Sequence, residues 1–399
     1  MVRQSPQRVS LLRDGKPVFA RYIGSTDTML FDDSLQPKHT YRYVAYRYCA
    51  QTLISDTTVA LTVLTMDTTS HEFTWEIDTL GDGNSSALYD AVIINDTLAY
   101  AVGEMYRRDS TGQFETEPYN AAVWDGRGWK LFRIPTAMYG GSVGTYRLNT
   151  ICAFGVSDVW TFSIAGSYSH WDGQSWSTQY VAERSGAGLK MWGASSTDLY
   201  LVGTNGSLSH FDGRRWRKTE SGTNVDLFDV YGSPDGSLVW ACGYYEAQQG
   251  TFLLRNRGSG WETAYDGTQS EFLIRQDSLS GAFTGVYTEN QGRVFVGSSA
   301  GLYRALSTTH GEGKRLSFTS NYFPGFPRGL RGNGINDLVI AGDYTFIAHF
   351  NGVSWRYYDE LRTSNEHINS ISMRNDRIVA VGVITDPINS RGVAIQGRR

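Results

Sequence analysis

Three of the seven histidines recur in one setting. His170, His210 and His349 stand just before an aromatic residue in the phrases "SHWDGQSW", "SHFDGRRW" and "AHFNGVSW", and a fourth phrase, "AVWDGRGW", runs from Ala122 to Trp129. Imidazole beside a carboxylate suits both metal binding and proton transfer. Equivalent positions of successive repeats are spread around a ring, however, so the three histidines cannot converge on one ion. Their repetition argues for a structural hydrogen bond. The Asp gives way to another residue in "NRGSGW" and "FNGVSW". A hairpin turn tolerates that exchange, whereas a cation site would lose its carboxylate, so the phrase is read as a turn. Its Trp is expected to fill space between adjacent sheets. His39, His71, His310 and His367 form no motif. Cys49, Cys152 and Cys242 are widely spaced and imply neither a zinc site nor a disulfide framework. "DTLGDGNS" (78–85) lacks the alternating carboxylates of a calcium loop.

Carboxylate chemistry leaves a second candidate set. Glycoside hydrolysis usually needs two carboxylates, or a Tyr nucleophile with an acidic partner. Asp90 and Asp229 could face one another, and Arg331 could clamp an anionic substrate group. No motif fixes these roles, so no catalytic residue, metal or cofactor is assigned.

The elements that must position these residues come from a repeat. The clearest copy, "LKMWGASSTDLYLVGTNGSLSHFDGRRWRKT", runs from Leu189 to Thr219, with further copies beginning at Leu88, Leu148, Leu227, Phe283 and Gly329. The last Trp of a unit falls at 129, 176, 216, 261 and 355, with Leu316 or Phe318 near the expected place between the last two. Spacings of about 40 to 47 residues suit a four-stranded propeller blade, and no helical period appears. The C-terminal "INSISMRNDRIVAVGVITDPINSRGVAIQGRR" has three strands of a unit, and "HEFTWEIDTL" (71–80) supplies the missing fourth. The expected fold is therefore all-β: over 71–399, a seven-bladed β-propeller whose last blade is closed by an N-terminal strand. Closure removes the exposed edge. The units resemble the Asp-box-like propellers of bacterial secreted and surface proteins, although here Asp and Gly of the turn are adjacent.

Residues 1–70 read as a small, incomplete β-sandwich. Leu35, Pro37, Tyr41 and Tyr43 resemble the late half of a fibronectin type III domain, and the early strands of that domain have almost no chain to form them. The segment is read as a fragment or an incomplete module, whose upstream part could have carried an export signal.

Composition narrows the function classes. The 399 residues include 24 Tyr, 11 Trp and 44 Gly, with a net charge of −4. That balance gives no general attraction to nucleic acid, and no apolar run spans a membrane. Propellers gather ligands at the channel mouth, where innermost strands begin. Asp90, Asn149, Lys190, Trp192, Asp229, Tyr231 and Arg331 stand there as candidate ligand-binding residues, joined by Tyr89 and Asn369. Aromatic faces with Asp, Asn and Arg suit a glycan, and the irregular loops at 103–120, 307–317 and 321–329 suit a protein contact. The functional expectation is a monomeric, non-enzymatic binding, adhesion or scaffold protein, secreted, cell-surface or periplasmic, with a protein or glycan partner. A carbohydrate-active enzyme of the sialidase kind and an assembly platform are the alternatives.

Overall fold

The structure is a computed structural model that describes residues 7–23, 32, 35–49, 53–245, 250–267, 279–289, 293–306, 314–315, 323–387 and 389–399. It divides into two units, 1–69 and 70–399.

The first unit is a five-stranded antiparallel sheet. Gln7–Arg13 pairs with Lys16–Ile23 and Thr40–Cys49, and the last of these also pairs with Leu53–Thr57 and Leu61–Leu64. Asp14 and Gly15 both take positive φ in the first turn, as Asp-Gly allows. Tyr41 is buried, and its hydroxyl accepts the amide hydrogen of Gln36 at 2.8 Å.

The second unit contains seven four-stranded antiparallel sheets among the described residues. Sheets 1 to 6 take their four strands in chain order. Their first strands are Ala87–Asn95, Leu148–Gly155, Gly188–Ser195, Asp226–Gly232, Phe283–Thr288 and Pro327–Gly334. Sheet 7 is built from Glu366–Arg374, Arg377–Ile384 and Arg391–Arg398, and Thr74–Leu80 pairs with the last of these as its fourth strand. Each first strand packs against the first strand of the next sheet, and that of sheet 7 returns to that of sheet 1. The ring is closed.

Local sequence explains this packing. Second strands such as Asp198–Gly203 and Asp337–Gly342 are near-continuous apolar runs, because both faces meet a neighbouring sheet. Seven apolar clusters result, each shared by two consecutive sheets. Trp129, Trp176, Trp216, Trp261 and Trp355 each join the cluster between their own sheet and the one before, as does Trp75 of Thr74–Leu80. Leu316 and Phe318 lie outside the described residues.

The recurring phrase forms the turn between third and fourth strands. Asp172 Oδ1 accepts the amides of Gln174 and Ser175, and Asp212 Oδ1 those of Arg214 and Arg215. Asn351 Oδ1 does the same for Val353 and Ser354, so Asn substitutes for Asp without loss of the turn. His170, His210 and His349 each bond through Nε2 to an Asp at the head of the second strand, Asp158, Asp198 and Asp337, at 2.7 to 2.9 Å. A single position thus carries a structural His–Asp bond in three sheets.

Candidate functional site

One irregularity in the ladders positions every candidate residue. Each first strand carries a register shift against its second strand, skipping Tyr89, Asn149, Leu189, Phe228, Thr284, Arg328 and Asn369 in turn. Such bulges re-aim side chains. Two of the skipped residues reach sideways: Asn149 Nδ2 donates to Gly188 O and Asn369 Nδ2 to Leu88 O, both at 2.8 Å, tying sheet 2 to sheet 3 and sheet 7 to sheet 1. Arg147 lies over the Tyr89 ring at 4.7 Å and donates through Nε to Asn149 Oδ1.

In sheets 1 and 4 the residue after the bulge is an Asp that reaches the following sheet. Asp90 is buried, and its Oδ2 accepts Thr150 Oγ1 at 2.8 Å and the Ile151 amide at 3.0 Å, both from sheet 2. Its Oδ1 accepts Lys190 Nζ from sheet 3 at 2.5 Å and Ser370 Oγ from sheet 7 at 2.7 Å. Burial alone would raise the Asp90 pKa; the Lys190 ammonium and these hydrogen bonds outweigh it and hold the carboxyl below its ordinary value.

Asp229 repeats the arrangement half a ring away. It accepts the Val286 amide of sheet 5 at 2.9 Å, and Arg331 of sheet 6 grips both oxygens at 2.8 and 2.9 Å. Burial works against the Arg331 charge, but Asp229 more than compensates and raises its pKa. Arg331 also lies 5.0 Å over the Tyr231 ring. Trp192, Tyr231 and Tyr287 continue as a chain of ring contacts, with centroids 5.8 and 5.3 Å apart.

The structure therefore brings Asp90 and Lys190 together, and Asp229, Tyr231 and Arg331 together. Trp192 packs over Gly232, where a Cβ would stand 2.4 Å from its ring, and Asn149 acts as an inter-sheet tie. Asp90 and Asp229 each bond to a separate set of partners. Cys152 and Cys242 are single thiols among these side chains, and burial pushes Cys152 up to about 12 and Cys242 well above its ordinary value.

Sequence reasoning pointed to the 321–329 stretch but missed the aromatic shelf it joins where the first strands of sheets 4 and 6 begin. Phe228 stacks on Tyr244 at 4.8 Å, Tyr244 meets Phe326 at 5.8 Å, and Arg328 lies 5.8 Å over Phe326. All three rings are half-buried, and neighbouring Tyr245 is exposed. Phe228 occupies a bulge, which no residue pattern announces, whereas Phe326 and Arg328 belong to the irregular 321–329 stretch. A hairpin, Thr136–Ala137 with Val143–Gly144, was also missed; Tyr139 near its tip is 82% exposed and lies edge-on to Tyr180. The 103–120 insertion folds back on itself through an Arg108–Phe114 bridge, and Arg133 outside it bonds to Glu115 at 2.5 Å and stacks over Tyr119. The 307–313 and 316–322 stretches lie outside the described residues.

Ring closure by four-stranded antiparallel sheets makes the 70–399 unit a β-propeller. The chain is similar in fold to YCF48 solved bound to a D1 peptide, with a TM-score of 0.56 at 15% identity over 82% of this chain and 97% of that one. YCF48 from Cyanidioschyzon merolae gives 0.50 at 12% identity, over 81% and 98%. A chain of the mitotic checkpoint complex gives 0.52 at 10% identity, over 84% and 92%. No protein-family profile and no curated protein matches the chain in sequence. No described helix is long and apolar enough to cross a membrane.

Proposed function

We propose that this protein is a non-enzymatic scaffold whose seven-bladed propeller binds an extended segment of a partner protein at the mouth of the central channel. The aromatic shelf of Phe228, Tyr244 and Phe326, flanked by Arg328, carries the reading. Half-buried aromatic rings with an adjacent guanidinium are the side chains that dominate protein contacts. Tyr89 with Arg147 offers a second ring-and-guanidinium pair where sheets 1 and 2 begin. Support by analogy of fold comes from the YCF48 structure solved with a bound peptide.

The saturated state of Asp90 and Asp229 favours binding over glycoside hydrolysis, since neither is left to serve as acid, base or nucleophile. The Tyr41 hydroxyl bond to the backbone five residues upstream supports a fibronectin type III-like reading of 1–69. A secreted, cell-surface or periplasmic setting belongs to the same proposal and rests on the family resemblance in the repeat; fractionation of cells expressing the full gene tests it.

The decisive experiment pans a displayed library of linear peptides on the whole chain, then measures Kd for the enriched peptides with wild type, Phe326→Ala and Tyr244→Ala. Removing one anchor ring is expected to weaken binding about tenfold or more. Equal affinities for all three proteins would move the contact elsewhere, and a failure to enrich any peptide beside a positive glycan-array signal would favour the glycan partner.

A further inference from the structure

We propose that His71 and His349 form a proton-sensitive latch at the seam where the ring closes. Thr74–Leu80 completes sheet 7, but the three residues before it lie on sheet 6. His71 Nδ1 stands 2.8 Å from His349 Nδ1, and His71 Nε2 stands 3.1 Å from Ser354 Oγ. Tyr358 donates its hydroxyl to His71 O at 2.8 Å, and Glu72 pairs with Arg356 at 2.8 Å. Phe73 sets its ring edge-on to His349 and Tyr358. These residues staple the closing strand to the sheet beside it.

The partners assign the protons. Asp337 accepts from His349 Nε2 at 2.8 Å, so neutral His349 carries its hydrogen there and presents a lone pair at Nδ1. His71 then donates Nδ1–H to that lone pair and accepts at Nε2 from the Ser354 hydroxyl, whose one hydrogen is shared with the more distant Asn351 Oδ1 at 3.3 Å. One hydrogen lies between the rings. The pair can take up one further proton and keep this contact, because either ring can be the donor. A second extra proton sets two N–H groups head to head at hydrogen-bond distance, and the contact must open.

The surroundings bias His71 toward neutrality. Burial, the facing His349, and the Arg356 and Arg399 guanidiniums lower the His71 pKa, against a smaller opposing effect of Glu72. Burial alone would raise the Asp337 pKa; the His349 bond, both Arg399 terminal nitrogens and Asn333 Nδ2 outweigh it and hold the carboxyl far below its usual range. Asp376 shares Arg399 through Nε at 2.8 Å. Asp337 thus stays ionised while His71 titrates. A lowered folded-state pKa means that the opened seam binds more protons than the closed one below about pH 6.5, the ordinary His value. Closure is therefore fully favoured above that pH and weakens as pH falls. His170 and His210 make the same Asp bond, but they stack on Trp160 and Tyr200 rather than on a second imidazole.

Hydrogen exchange on the whole chain between pH 7.5 and 5.0, corrected for the intrinsic pH dependence of exchange, tests the latch. Amides of Thr74–Leu80 should lose protection below pH 6.5, about tenfold for each unit by which the His71 pKa is depressed, while those of Asp198–Gly203 hold. His71→Gln should flatten that dependence. Equal pH dependence in wild type and His71→Gln, or none in wild type, overturns the proposal. Should His71→Gln not fold, imidazole ¹⁵N spectra of wild type decide. A single N–H between the two Nδ1 atoms at pH 7, lost with seam protection on acidification, supports the latch; both Nδ1 atoms protonated beside an intact seam refutes it.

Discussion

Sheets 1 to 3 and sheets 4 to 6 solve one problem with different cations. In each half an Asp behind a bulge accepts an amide of the next sheet and an ion pair from the sheet after that, so one carboxylate binds three sheets. Lys190 supplies one contact to Asp90, and hydroxyls of Thr150 and Ser370 fill the remaining positions. Arg331 supplies two contacts to Asp229, and the post-bulge positions of sheets 5 and 6 are Gly285 and Gly329. A Cβ at Gly285 would stand 2.9 Å from Leu330 Cβ, and one at Gly329 3.0 Å from Ile371 Cγ2. The lysine half is hydroxyl-lined, whereas glycines let strands approach closely in the arginine half. A planar fork does alone what a point charge does with help.

Removing either carboxylate is the largest perturbation expected. Asp229→Ala leaves Arg331 buried without its partner and should destabilise the propeller by about 3–5 kcal/mol in urea unfolding. Asp90→Ala should fall at the lower end of that range, because the Lys190 ammonium keeps Ser370 Oγ at 3.2 Å. Asp229→Ala combined with Arg331→Met should recover most of the loss, since no uncompensated charge remains. If the double variant is as unstable as the single one, Asp229 acts through its amide contact rather than through the ion pair.

The fork itself comes next. Arg331→Lys keeps the charge but gives up one charged hydrogen bond and the stack on Tyr231, with an expected loss of about 1.5–3 kcal/mol. A loss near zero would show that charge alone holds the second half, as in the first.

Acid should distinguish the halves as well. The Asp90 carboxyl is held below its ordinary 3.8, so its contribution is complete above that pH and fades as pH falls through the lower folded-state value. Lys190→Met removes the main cause of the depression. Its acid-unfolding midpoint, followed by tryptophan fluorescence, should move to higher pH than that of wild type. An unmoved midpoint would assign acid sensitivity to other carboxylates.

Much of the ring was legible in the sequence because its signals are local. The Trp spacing, the Asp-Gly turns and the apolar second strands each repeat within one unit, and His71–Leu80 could be matched to a missing strand by pattern alone. The place of the polar residues in the innermost strands was legible, but not their partnership. Asp90, Lys190, Asp229 and Arg331 all stood out as polar residues early in innermost strands. Their pairing joins sheets two apart, across 100 residues in one case and 102 in the other, and no local period encodes it. The bulges were invisible for a related reason: a skipped residue such as Phe228 changes its direction without changing the pattern. His71 formed no motif because its partner lies 278 residues away.

The turns far from the channel provide the smallest effect and the control for the rest. Gly213 takes φ of +82°, and a Cβ there would stand 2.9 Å from Thr197 Cβ. Gly213→Ala must hold an L side chain in the left-handed region and should lose about 1–2 kcal/mol, below either ion-pair deletion. Asp212 Oδ1 bonds only to amides of its own turn, so that loss should add to the loss from Asp229→Ala, a residue of the next sheet. Strong coupling between the two would mean that the sheets respond as one cooperative ring, and the contrast between the two ion pairs would then have to be judged from unfolding rates rather than from equilibrium stability.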